Sequence, residues 1–164
     1  MPTKVLLDTN LLVLFVVGMA SPDYIARHKR LTAYSVADYL QLLDLLVDLG
    51  SAPIVATSHI LAEASNFLNA GDDKKHTSGD RQRAQIMQQF RIFISRITEI
   101  QVHAAKAAER PAFMRLGLAD AAVLEPECDD TILVTTDSKL CAEAYKIGRR
   151  AEDFGFHQKN RRQS

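Results

Sequence analysis

Three features of the sequence predict an α/β fold with a central parallel sheet. Short apolar runs, Val5-Leu6-Leu7, Ile54-Val55-Ala56 and Ile132-Leu133-Val134, have the character of buried strands. The stretches between them carry apolar residues at helical spacing, so that strands alternate with helices along the chain. The length of 164 residues is that of one domain, large enough to bury roughly 70% of its unfolded surface without a staple.

Taken in order, Val5-Leu6-Leu7 is the first strand, and Leu11 to Val17 turns into a helix. Gly18 to Tyr34 reads as irregular. Ser35 with Asp38 three residues on forms a capping-box-like start. Val36, Tyr39, Leu40, Leu43, Leu46 and Val47 follow at helical spacing, and Gly50 ends the helix. Ile54-Val55-Ala56 is the second strand. Thr57 or Ser58 caps a helix whose apolar face is Ile60, Leu61, Ala64, Phe67 and Leu68. The polar stretch Asn69 to Asp80 reads as a loop. A helix from about Asp80 to Ser95 carries Met87, Phe90 and Ile94, and a short strand is expected near Glu99 to Val102. An alanine-rich helix runs from His103 until Pro111 disturbs it, and a shorter one starts near Asp120. Thr131 to Thr135 is a strand, and the helix from Ser138 to Ile147 is closed by Gly148. The expected organisation is one domain over residues 1–156 and a basic, flexible tail over 157–164.

Composition narrows the setting. The longest apolar run, Leu11 to Val17, is far short of the ~18 residues of a membrane span. Cys128 and Cys141 sit in no metal-ligand spacing, and the N-terminal residues do not read as a signal peptide, so a reduced, cytoplasmic location without membrane contact is expected. Twenty Lys+Arg balance twenty Asp+Glu, which leaves net charge neutral on the question of nucleic acid. Local clusters do exist: Arg27-His28-Lys29-Arg30, Arg149-Arg150 and Lys159-Asn160-Arg161-Arg162. Each could meet phosphates, and each also suits a solvated loop or tail.

Four acids stand in positions that suggest chemistry. Ligand sites of open α/β sheets lie beyond the carboxyl ends of the strands. Val5-Leu6-Leu7 runs directly into Asp8, and the strand at Ile132 runs through Thr135-Thr136 into Asp137. Parallel strands would deliver both to one edge. Glu63 borders the apolar face of its helix, and Asp120 lies between the apolar segments Leu116-Gly117-Leu118-Ala119 and Ala121-Ala122-Val123-Leu124. Taken one at a time, each has a structural alternative. Asp8, Asp120 and Asp137 could be helix caps, and Glu63 could pair with a lysine.

In order, these segments resemble the PIN-domain family of nucleases. Val5-Leu6-Leu7-Asp8-Thr9-Asn10 looks like the family's opening motif, and Ile60-Leu61-Ala62-Glu63 like its helical glutamate. Leu116-Gly117-Leu118-Ala119-Asp120-Ala121 looks like its third acid, and Leu133-Val134-Thr135-Thr136-Asp137 like its fourth, with Thr135 at the usual hydroxyl position. The resemblance implies a parallel sheet between helices, a divalent-metal site and single-stranded RNA as substrate. Many bacterial members of the family are toxins held inactive by an antitoxin, so an antitoxin protein is an expected partner. The stretches Gly18 to Tyr34 and Asn69 to Asp80 are extra length against the compact toxin pattern. A homodimer through the apolar first helices is also expected.

Elementary electrostatics asks for a cation on its own account. Two carboxylates ~4 Å apart repel by roughly 4 kcal/mol at an effective dielectric near 20. Oxygen ligands without thiolate or imidazole suit Mg²⁺ or Mn²⁺. The expected reaction is metal-dependent hydrolysis of phosphodiester bonds, with Asp8, Glu63, Asp120 and Asp137 as metal-binding and catalytic residues and Asn10 and Thr135 as supporting hydrogen bonders. Two other readings stay open: a non-catalytic RNA- or protein-binding module on the same scaffold, and an acid-cluster phosphatase with Asp8 as nucleophile. In such phosphatases a second aspartate commonly stands two residues on, where this chain has Asn10.

Overall fold

The computed structural model describes residues 4–69 and 77–163. β1 (Lys4–Leu7), α1 (Thr9–Ala20) and α2 (Val36–Asp48) lead to β2 (Ile54–Thr57), α3 (Ser58–Asn69) and α4 (Thr77–Ile94). β3 (Thr98–Ile100) is followed by three short helices, α5 (Ala104–Ala108), α6 (Phe113–Leu116) and α7 (Leu118–Val123). β4 (Thr131–Thr135), α8 (Ser138–Lys146), β5 (Ala151–Asp153) and α9 (Phe154–Gln163) complete the chain. The five strands form one sheet in the order β3-β2-β1-β4-β5, every pairing parallel. Helices flank it, as the alternation in the sequence requires.

β1 lies at the centre of the sheet, and Val5, Leu6 and Leu7 are buried on both of its faces, the mark of a strand covered by helices on either side. α1 carries Leu11, Leu12, Val13, Leu14, Val16 and Val17, all essentially inaccessible. A helix that is apolar on every side belongs inside; this one packs against α3, α4 and α2. The predicted Ser35 start is a full capping box: the Asp38 amide donates to Ser35 Oγ and the Ser35 amide donates to Asp38 Oδ2. Thr57 caps α3 through its hydroxyl, which accepts from the Ile60 amide at 3.2 Å. Among the described residues no helix is long and apolar enough to cross a membrane.

Several expectations need correction. Gly18 to Tyr34 is not wholly irregular, because α1 runs on to Ala20 and two 3₁₀ turns, Pro22–Arg27 and Lys29–Leu31, follow. Of the loop expected over Asn69 to Asp80, residues 70–76 lie outside the described residues, while α3 includes Asn69 and α4 already begins at Thr77. β5, α6 and α9 were not expected. The boundary placed at 156/157 falls inside α9, so residues 157–163 are helix rather than tail. Arg161 pairs with the wholly buried Asp38, and Arg162 lies 3.6 Å from the same carboxylate. The cluster at Arg149-Arg150 also divides. Arg149 is buried and donates to the carbonyl oxygens of Val123 and Cys128 and to Thr131 Oγ1, which makes it an internal brace between α7 and β4.

Arg161 therefore matters to stability in a way a tail residue would not. Removing one partner of a buried pair leaves the other charge uncompensated, which costs about 3–5 kcal/mol. Arg161→Ala is expected to destabilise the protein by about 3 kcal/mol, the low end of that range, because Arg162 remains nearby. Urea unfolding of the two proteins measures it, and a difference below about 0.5 kcal/mol, typical of surface positions, would mean the pair contributes nothing.

Candidate functional site

Four elements bring the four acids to one edge of the sheet. β1 and β4 are adjacent and parallel, with Leu7 opposite Val134. The chain leaving β1 gives Asp8 and the chain leaving β4 gives Asp137, both at the carboxyl edge. α3 supplies Glu63. α7 supplies Asp120 as its third residue, after a turn at Gly117 whose φ of +86° favours glycine. A cleft of about 280 Å³ is lined by Asp8, Thr9, Asn10, Arg30, Glu63, Phe67, Asp120 and Asp137. All four acids and Asn10 thus share one cleft.

Asp8 is the most constrained of them. It is 5% exposed. Its Oδ1 accepts from the Leu11 amide at 2.8 Å and so caps α1. Oδ2 accepts from Thr135 Oγ1 at 2.5 Å and from the Thr136 amide at 3.0 Å. Burial pushes its pKa up; the three hydrogen bonds pull it down, and the Asp137 charge adds to the rise. Asp137 caps α8 through Oδ1, which accepts from the amides of Lys139 and Leu140 at 2.8 and 3.3 Å. Its own amide donates to Thr135 Oγ1 at 2.9 Å. One hydroxyl thereby bridges two acids, which gives Thr135 the supporting part expected of it. Asn10 is exposed and lines the cleft, but its side chain has no hydrogen bond among the described residues to support that role.

The cap alternative therefore holds for Asp8 and Asp137 alongside their place in the cleft, and it fails for Asp120. Gly117 occupies the cap position of α7, and no side chain caps that helix. Asp120 is instead a partly buried carboxylate without a hydrogen bond among the described residues. Burial raises its pKa from 3.8 to about 7, and the charges of Asp8, Asp137 and Glu63 add to the shift. The lysine alternative for Glu63 fails as well: its Oε2 accepts from Thr9 Oγ1 at 2.6 Å, and no ion pair holds it among the described residues.

The donor set suits a hard divalent cation in kind, since the cleft offers four carboxylates and neither histidine nor cysteine. It is not a closed cage. Among the described residues, no three His, Cys, Asp or Glu side chains stand close enough to hold an ion as they are. That openness is compatible with Mg²⁺, which keeps several waters and binds through one or two carboxylates together with substrate phosphates.

Sequence reasoning missed three residues here, Thr9, Tyr34 and Phe67, and did not place Arg30 of the basic cluster at this cleft. Thr9 orients Glu63. Tyr34 Oη lies 3.1 Å from Thr136 Oγ1, and burial beside Asp8 and Asp38 raises its phenol to about 12. Arg30 stacks its guanidinium 4.0 Å over the Phe67 ring, and both line the cleft. The sequence places Phe67 on the apolar face of its helix and Arg30 in a basic cluster that could meet phosphates; no periodicity links the two. Comparison with family models, with curated proteins and with solved structures gives no match.

Two measurable consequences follow from the acid cluster. Asp120 and Asp8 bind protons more tightly folded than unfolded, so their contribution to stability is complete below the unfolded pKa and is lost as pH rises through the folded value. For Asp120 that decline spans about 3.8 to about 7. Denaturant unfolding in EDTA across this range should show stability falling, and Asp120→Asn should flatten the fall; a variant with the wild-type slope would contradict the assignment. Thr135→Val removes the hydroxyl shared by Asp8 and the Asp137 amide. It should cost about 1–3 kcal/mol through the unsatisfied buried groups, whereas Thr135→Ser should recover most of that stability.

Proposed function

We propose that this cleft is a divalent-metal site for hydrolysis of phosphodiester bonds in single-stranded RNA. The observation that carries the reading is Asp120: a carboxylate without a hydrogen bond among the described residues, raised to about 7 by burial and by three other acids on the same cleft. Such an arrangement opposes folding at neutral pH unless something positive completes it. Perturbed carboxylates clustered in a cleft are also a physical signature of catalytic sites.

Asp120 and the Oδ2 of Asp137 would hold the cation, with Glu63 reaching it through retained waters and Asp8 offering what remains of Oδ1 after its bond to Leu11. Bound Mg²⁺ or Mn²⁺ would supply activation of water and neutralisation of charge on the phosphoryl oxygens. The protein's own contribution is orientation. Thr135 fixes Asp8 and Asp137 relative to each other, and Thr9 fixes Glu63. Arg30, held over Phe67, offers a cation at the same cleft for a substrate phosphate. The phosphatase reading asks Asp8 to attack phosphorus, yet both its oxygens already accept hydrogen bonds and the residue is 5% exposed. The toxin role and the antitoxin partner are supported by the resemblance of the four motifs to the PIN-domain family. For a homodimer through the first helices, the support is that Val36, Leu40 and Val47 of α2 are exposed.

The test is cleavage of single-stranded RNA with Mg²⁺ or Mn²⁺, expected to stop in EDTA and in Asp120→Asn. Asp120→Asn is a cleaner variant than Asp8→Asn, because Asp120 caps nothing while Asp8 accepts three hydrogen bonds, and an amide would turn a donor toward one of them. Metal should also stabilise the wild type, by roughly 2.7 kcal/mol at a hundred times the dissociation constant, and stabilise Asp120→Asn less. Undiminished cleavage after metal stripping would remove the mechanism. RNA binding without cleavage would favour the binding module, and phosphate release from phosphomonoesters alone would favour the phosphatase.

A further inference from the structure

A second cleft, of about 300 Å³, shares the 136–138 segment with the first. Its lining includes Thr136 and Ser138, the two neighbours of Asp137, and from α9 it includes Phe156, Lys159 and Arg162. These last three residues follow one another at steps of three, which keeps them along one side of the helix. Phe156 is 60% exposed, although it is a large aromatic residue. Lys159 is exposed and forms no ion pair among the described residues. The side chain of Arg162 stays 59% exposed although its Nη2 lies 3.6 Å from Asp38 Oδ2 and donates to the Ala33 carbonyl at 3.3 Å. Asp153 also lines this cleft, with its Oδ1 accepting from the Phe156 amide at 3.1 Å.

α9 lies close against the catalytic edge. A Cβ at Gly155 would stand 3.3 Å from the Thr136 carbonyl oxygen and 3.1 Å from Asp153 Oδ1, so glycine there lets the first turn of α9 approach the segment that carries Asp137. The Thr136 amide, in turn, holds Asp8 at 3.0 Å. One short stretch of backbone therefore contributes both to the acid cleft and to the cleft that carries an aromatic-and-cationic ridge.

We propose that Phe156, Lys159 and Arg162 form a subsite for the nucleotides flanking the scissile phosphate, so that a single strand passes from the acid cleft over residues 136–138 onto α9. This rests on the phosphodiesterase reading of the acid cleft. The chemistry is that of single-strand recognition: an exposed ring on which a base stacks, beside cations that track the backbone. Charge complementarity singles out a polyanion, because four acids outweigh Arg30 in the first cleft and the ridge adds the attraction that a phosphate chain needs. Arg161, on another side of the same helix, is committed to Asp38 and has no part in it.

The experiment is fluorescence-anisotropy binding of a labelled ten-nucleotide oligouridylate and of the dinucleotide UpU. The proteins are wild type, Phe156→Ala, Lys159→Ala and Arg83→Ala, the last an exposed α4 cation that lines neither cleft. Binding is measured in EDTA, where no metal-dependent cleavage interferes, and cleavage of the decamer is followed separately in Mn²⁺. Phe156→Ala should weaken decamer binding on the order of tenfold, the effect of losing one stacked base. Lys159→Ala should lower the slope of log affinity against log salt by about 0.7, one phosphate contact on a single strand. Both effects should be smaller on UpU, and Arg83→Ala should change neither. If wild type cleaves the decamer while both ridge variants bind it as wild type does, the subsite is wrong and the nuclease reading stands. Weakened binding in the ridge variants, without cleavage by wild type in Mn²⁺, would leave the ridge as a binding surface and remove the nuclease reading. Wild type that fails to bind the decamer overturns the subsite.

Discussion

The Asp8 carboxylate ties together three parts of the protein. It ends the central strand β1, it starts α1 by accepting from Leu11, and it joins β4 by accepting from Thr135 and Thr136. A carboxylate this buried is tolerated only because its lone pairs are met by donors. Two of those donors, Thr135 and Thr136, stand more than a hundred residues away in sequence, so satisfying the charge and closing the carboxyl edge of the sheet are one event. Once β1 and β4 are in register, Asp137 and Thr135 have little freedom left, and the cleft acquires its second acid as a by-product of strand pairing.

The other two acids arrive by a different route. Glu63 and Asp120 sit on helices that the edge does not determine directly. Glu63 is set by the burial of Ile60, Ala64 and Leu68 on the same helix and by the Thr9 hydroxyl. Asp120 is set by the Gly117 turn and the burial of Ala121, Ala122 and Val123. Packing forces place these acids, and electrostatics opposes the placement. That opposition is stored in Asp120, the one acid of the four without a hydrogen-bond partner among the described residues.

Much of this was legible in the sequence because the signals were local. A strand of three apolar residues that ends in aspartate, the Ser35 and Asp38 pair, and the closing Gly148, with its φ of +77°, all act within a few residues of themselves. What escaped was either weakly patterned or long-range. β5, with the sequence Ala-Glu-Asp, is too short and polar to show alternation, and its pairing with β4 decides its state. α9 has the composition of a tail, and Asp38 and Gln41 hold it on the domain. The link from Tyr34 to Thr136 and the stacking of Arg30 on Phe67 join residues that no spacing rule connects. The organisation of the acids was readable; the partners that orient them were not.

The double employment of Asp8 and Asp137 bears on how relatives of this chain should be read. Both caps would be under selection for folding alone, so a descendant that had abandoned chemistry would still keep an acid or asparagine at these two positions. Glu63 and Asp120 have no such protection. Asp120 in particular, strained as it is, would be among the first residues replaced once its charge no longer served a purpose, since a neutral side chain there relieves repulsion. Divergence at position 120 with position 8 intact would thus mark a lineage that retained the scaffold and gave up the proposed reaction.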